Sequence, residues 1–267
     1  MSVPVAPSEA RNPPRVDLLY AVEILRADPE WPVKLALFLL VWAIPFLGWF
    51  VVLGWLSYGA RRALSGVEPA LLPPTTDLAT LIDYASVGLK GLIVSVVWSL
   101  PATALSLSGV ACIYFGLLAS LFSGFAGAER TGGLSLATIP LFLCGGLVSM
   151  LVLAVLLSLL SLPAAAATLR AELSGRVATG FEVAEVFASV RLVFRDWLVN
   201  LVLLSVATLF AVGLTSTIPI LGTLVSSFLV AVFRTFAIAS LHAKYLAAGG
   251  VPLPFGPLEP NASPPRA

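Results

Sequence analysis

The chain has 267 residues, of which 59% are apolar and 11% charged, and its mean hydropathy is +1.01. Soluble domains average about 45–50% apolar and about 25% charged residues, so this composition excludes a water-covered globule. The formal charge of +1 excludes the broad basic field of a nucleic-acid binder, and no nucleic-acid partner is expected.

Residues 1–16 are Pro-rich and polar. They lack the apolar core of a secretory signal, so they read as a disordered segment, and insertion is expected to rely on the spanning segments themselves. Residues 17–248 read as a single helical membrane domain, and 249–267 as a disordered Pro-rich tail. Leu18, Leu19, Val22 and Leu25 form a short amphipathic stripe that Asp28-Pro29 ends.

Four stretches carry no charge: Leu35–Ala60, Gly91–Ala128, Thr131–Leu169 and Trp197–Phe233, of 26, 38, 39 and 37 residues. A helix of roughly 20 apolar residues crosses a bilayer, so these cannot all be single spans. Ile44-Pro45-Phe46-Leu47-Gly48 breaks the first, which predicts a hairpin of two short arms; one kinked span is the competing reading. The second and third flank Glu129-Arg130 and Gly132-Gly133, with one span starting near Lys90 and another running from Pro140 to about Leu169. Gly109–Gly127 is left over as a re-entrant segment, an interfacial helix or part of an extra pair of spans. The fourth stretch predicts a span over Trp197–Leu214, a turn through Pro219 and a return helix into Lys244. The expected fold is therefore an all-α polytopic bundle of about six transmembrane helices, with eight as the alternative.

Basic residues set the orientation. Arg11, Arg15, Arg26 and Lys34 precede the first stretch, Arg61, Arg62 and Lys90 follow it, and Arg170, Arg176, Arg191 and Arg195 separate the third from the fourth. This pattern places the N- and C-termini in the cytoplasm. Val183, Val186, Phe187, Val190, Val193 and Phe194 recur at helical spacing among charges, the pattern of an interfacial helix over Phe181–Asp196. Its face suits a partner or anionic lipid, or it serves as an elbow between spans. Trp31 and Trp197 stand at span entrances and are expected to anchor at the headgroups.

Reactive clusters are scarce. Cys112 and Cys144 lie inside apolar runs and read as small buried hydrophobes, and His242 has no companion at metal-ligand spacing. No nucleophile elbow, zinc-binding helix or phosphate-cradling loop occurs. Hydroxyls at Ser95, Ser99, Ser158, Ser161, Ser226 and Ser227 are expected to bond helix backbone. Pro45, Pro101, Pro140, Pro163 and Pro219 are available to break spans around a transport site, without a repeat between the halves. No catalytic residue, metal or cofactor is expected. Arg234 stands apart, because a charge within a membrane helix is costly and marks a functional site by default. It is a candidate contact for an anionic ligand or lipid headgroup, with Ser226, Ser227 or Thr235 nearby. Snorkelling to the cytoplasmic end that holds His242 and Lys244 is the other explanation.

Asp28-Pro29-Glu30-Trp31-Pro32-Val33-Lys34, the Ile44–Gly48 break, Gly54-Trp55-Leu56 before Arg61-Arg62, and Leu72-Pro73 resemble domain-of-unknown-function family 4013. So do Asp77, Gly88-Leu89-Lys90 leading to Pro101, the segment Phe181–Asp196 and His242-Ala243-Lys244-Tyr245. The sequence departs from that pattern at Trp55 and at Pro74-Thr75-Thr76. The resemblance implies a prokaryotic polytopic membrane protein without assigned catalytic residues, distantly similar to the membrane domains of glycerophosphodiester phosphodiesterases. The expected function is a non-enzymatic scaffold or accessory subunit of the prokaryotic inner membrane. The alternative is a small transporter or lipid-handling protein with Arg234 on an anionic ligand. Expected partners are the lipid bilayer and another membrane protein or second copy, met through the spans or the Phe181–Asp196 helix.

Overall fold

The Pro45 break turns the first apolar stretch back on itself. In the computed structural model, which describes residues 18–67, 69–72, 77–131, 138–217 and 219–260, α1 covers Leu18–Ala27, α2 Trp31–Trp42 and α3 Leu47–Leu64. Pro32 sits in the first turn of α2, where a missing N–H costs no helix bond. Leu47 N donates to Pro45 O at 2.7 Å around Phe46, whose φ of 62° is left-handed, so the reversal is a three-residue γ-turn. A Cβ on Gly48 would lie 1.8 Å from Val41 O, so the two arms meet where only glycine fits. The single kinked span is therefore not what forms. At 12 residues α2 extends roughly 18 Å, well short of a ~30 Å hydrocarbon core.

Beyond the hairpin, α4 runs from Leu78 to Thr131 as one helix of 54 residues, roughly 80 Å long, and α5 from Thr138 to Ser174. Gly109–Gly127 thus continues α4 and is not a separate segment, and neither Pro101 nor Pro163 interrupts its helix. The other helices are α6 (Val177–Gly180), α7 (Val183–Leu192), α8 (Phe194–Thr217) and α9 (Pro219–Ala247). Every regular element among the described residues is helical. Among the described residues, four candidate spans are long and apolar enough to cross a membrane: Leu78–Cys112, Val152–Ser174, Phe194–Ala211 and Gly222–Ala247. Residues 1–16 and 132–137 lie outside the described residues.

Two units divide the chain, one formed by residues up to Ser95 together with those from Ala165, the other by Val96–Ala164. Within the second, a Cβ on Gly109 would come 2.6 Å from Leu153, so α4 and α5 approach closely there. Cys112 is exposed on α4 in this unit and not buried as the sequence suggested, because an apolar residue of a membrane helix can face outward.

In the first unit α9 is central and packs against α1, α2, α3, α7 and α8. Phe38 stacks on Trp55 with ring centroids 3.9 Å apart, and Tyr84, Phe228 and Phe236 complete the interior. Glycine again sets the spacing: a Cβ on Gly54 would meet Tyr84 O at 1.8 Å, and one on Gly88 would meet Phe50 O at 2.1 Å. Lipid is as apolar as a leucine side chain, so such close packing, not apolar burial, is what holds membrane helices together.

Asp77 caps α4, with its carboxylate accepting from Ala79 N, Thr80 N and Thr80 Oγ1 at 3.3, 3.1 and 2.7 Å. These bonds hold its carboxyl below the usual value of 3.8, the Thr80 hydroxyl contributing most. The expected interfacial helix is shorter than Phe181–Asp196. Val193 leaves helical geometry between α7 and α8, so Phe194, Arg195 and Asp196 open α8. Trp197, expected to face the headgroups, is instead buried within the protein. The tail differs from the expected disorder as far as Pro260: Leu253 is buried and Gly256 N donates to Leu173 O at 2.8 Å.

Candidate functional site

Four of the basic residues that set the expected orientation, Lys34, Arg61, Arg62 and Arg170, are tied to backbone or carboxylate oxygens. Arg61, fully buried, donates from Nε to Glu172 O at 2.9 Å, from Nη1 to Pro257 O at 3.0 Å and from Nη2 to Glu172 O. Tyr58 lies under its guanidinium, 4.8 Å from ring centroid to Cζ. A Cβ on Gly256 would meet Arg61 Nη1 at 2.9 Å, so the C-terminal strap passes this side chain where only glycine fits. Arg62 donates to Pro69 O and pairs with Glu259 at 3.3 Å. Lys34 pairs with Asp28 at 2.6 Å, both side chains buried, and also donates to Leu71 O. Lys244 pairs with Asp196 at 2.6 Å.

Arg234 has a different setting. Its side chain is exposed and lines a cleft of about 150 Å³ with Leu53, Gly91, Thr168, Glu172 and Thr235. The helix repeat brings Ala231 and Ile238 to the same cleft, one turn to either side of Arg234, and the adjacent Thr235 also lines it. Ser226 and Ser227, the other predicted neighbours, lie two turns away. Ser226 is buried and donates to Thr223 O, while Ser227 donates to Leu224 O and accepts from Trp42 Nε1 at 3.2 Å. The Ser227 hydroxyl thus links α2 to α9, and that of Ser226 bonds within α9. Ser99, Ser161 and Thr235 likewise donate to carbonyls three or four residues back, the backbone bonding expected of hydroxyls in membrane helices.

Glu172 is the residue that sequence reasoning missed. Its carboxylate lies against Gly91, where a Cβ would come 2.6 Å from Oε1. Arg61 and Arg234 both act on it electrostatically. One carboxylate thus faces two guanidiniums, and the Arg61 guanidinium is already occupied by carbonyls. Arg234, at the open side of the cleft, has the larger electrostatic influence on Glu172 of the two. A signal for this existed in the triplet Arg170-Ala171-Glu172, whose acid closes the third apolar stretch. Nothing in its spacing pointed to a residue some sixty positions further along.

His242 and Lys244, which share the last turns of α9, do not line this cleft. Among the described residues no group of three or more His, Cys, Asp or Glu side chains is placed to hold a metal ion.

No curated protein and no solved structure matches the chain. A family model described as "Protein of unknown function (DUF4013)" matches residues 37–220, which is more than half of the sequence and takes in α3, α4, α5, α7 and α8. The chain belongs to that family.

Proposed function

We propose that this protein is a non-enzymatic, multi-pass protein of a prokaryotic inner membrane that holds an anionic group, carried by a lipid headgroup or a small solute, at the Arg234 cleft. One observation carries this reading: Arg234 lines the cleft with an exposed guanidinium, whereas Arg61, Arg62 and Arg170 are buried and engaged. In this reading the α2–α3 hairpin and the four long apolar helices make six membrane-embedded segments. The termini and both basic loops face the cytoplasm.

The test is the lipid retained by purified protein, read by native mass spectrometry in a mild detergent. Arg234→Ala should retain roughly tenfold less anionic lipid, the size of one lost charge-assisted hydrogen bond, with Arg234→Lys in between. Equal retention by Arg234→Ala and the unmodified protein would overturn the reading.

A scaffold role is the second reading, supported by Phe181, Val183, Phe187 and Phe194, which expose an apolar face while Val186 and Val190 pack inward. Photocrosslinkers at Val183 and Phe187 should then capture one defined protein partner in membranes. Labelling of lipid alone would dismiss it.

A further inference from the structure

Away from the Arg234 cleft, three residues that line one hollow each carry a buried polar atom without a partner. Arg170 Nη1 comes from α5, Trp197 Nε1 from α8 and His242 Nε2 from α9, and none has a hydrogen-bond partner within the protein. Each residue is only 3% exposed. All three residues line the same hollow of about 10 Å³. Its other polar neighbours are already engaged: Ser189 donates to Val186 O at 2.7 Å, and Tyr245 OH donates to Glu185 at 3.2 Å and accepts from Val251 N at 3.0 Å.

We infer that Arg170, Trp197 and His242 form a binding site for one buried water molecule that joins α5, α8 and α9. Buried polar groups are almost always hydrogen-bonded, so three orphans around one hollow point to a shared partner. A hollow of 10–15 Å³ holds about one water, which needs two to four polar partners. Donor counting gives the arrangement: Arg170 and Trp197 can only donate, so the water accepts from both and donates to His242 Nε2.

Size and charge both disfavour a halide. The hollow is about one water in volume, and the Arg170 charge is already met by Glu182 Oε2 at 2.6 Å, with its Nε donating to Thr179 O. The arrangement also fixes the imidazole, because an accepting Nε2 requires the proton on Nδ1.

The sequence contains a single histidine, so ¹⁵N-histidine labelling reports on this site alone. Solid-state NMR of the full chain in bilayers should show the Nδ1-protonated tautomer, with a cross-peak from the imidazole to a slowly exchanging water. Trp197→Phe, which removes one donor, should move the Nε2 resonance and lose that cross-peak while the rest of the spectrum is kept. An Nε2-protonated ring, an imidazolium or the lack of a water cross-peak in the unmodified protein overturns the inference, whether or not the variant folds. So does a His242 spectrum that Trp197→Phe leaves unchanged. Titration with bromide separates the two possible acceptors: a spectrum that does not respond supports water, and a saturable shift overturns it in favour of a halide.

Discussion

Arg61 and Arg234 both act on Glu172, yet their surroundings differ in nearly every respect. Arg61 is fully buried and spends its donors on Glu172 O and Pro257 O, so it fastens the end of α3 to the end of α5 and to the C-terminal strap. Arg234 is exposed on α9 and lines a cleft. A count of charges along the chain treats the first as an orientation signal and the second as an anomaly. The packed structure makes the first a structural clamp and leaves the second exposed at a cleft. A buried guanidinium stays charged only where oxygens replace its water, and backbone carbonyls at helix ends supply them without adding acidic residues.

The contrast breaks most readily at Arg61. Arg61→Ala leaves part-buried carbonyls at Glu172 and Pro257 without their donors and should destabilise the protein by about 2 kcal/mol. Thermal unfolding in detergent would show this as a large drop in Tm. Limited proteolysis should then reach the strap around Gly256 first. A Tm close to that of the unmodified protein would place Arg61 in the same class as Arg234.

Gly91→Ala probes the carboxylate between the two arginines. The new methyl group would crowd Glu172 Oε1 and Cγ, and the expected cost is about 1 kcal/mol, since a flexible carboxylate can partly move aside. The same displacement should alter lipid retention, which connects the two effects in one variant. Smaller still is the stability effect of Arg234→Ala, expected within about 0.5 kcal/mol because the side chain is exposed and clamps nothing. Loss of retained anionic lipid together with an unchanged Tm is the pattern that separates a binding charge from a structural one.

Asp77 supplies the mildest test, on the acidic side. Its carboxyl is held below the usual value of 3.8 by the Thr80 and Ala79 bonds. A depressed carboxyl stabilises the fold fully above its unfolded value and loses that contribution as pH falls through the folded one. Unfolding followed below about pH 4 should therefore show the unmodified protein losing stability that Asp77→Asn does not lose. Parallel pH curves for the two would mean that the capping bonds do not hold in solution.

Much of this architecture is legible in one dimension. Charge-free stretches of more than 25 residues dictate long apolar helices, because their backbone polar groups must be satisfied internally once water is excluded. Pro45 beside Gly48 marks a reversal, since a missing N–H and a missing Cβ are local properties that any reader of the chain can see. Other local signals misled. Pro101 and Pro163 suggest breaks, but α4 and α5 continue through both, as membrane helices tolerate proline where neighbouring groups take up the freed carbonyl. Trp197 resembles a headgroup anchor by position, and packing turned its indole into the protein.

What the sequence alone determined is the class of the molecule and the anomaly at Arg234, both of which follow from composition and from the cost of a charge in an apolar helix. What only the tertiary structure decided is which charges are already used. Arg61 finds its acceptors more than a hundred residues away at Glu172 and almost two hundred away at Pro257, and Glu172 meets Arg234 only because α5 and α9 line one cleft. Hydrogen bonds of that span depend on how helices are arranged in space, which apolar periodicity does not encode, so the difference between a clamp and an open charge became visible only in the folded chain.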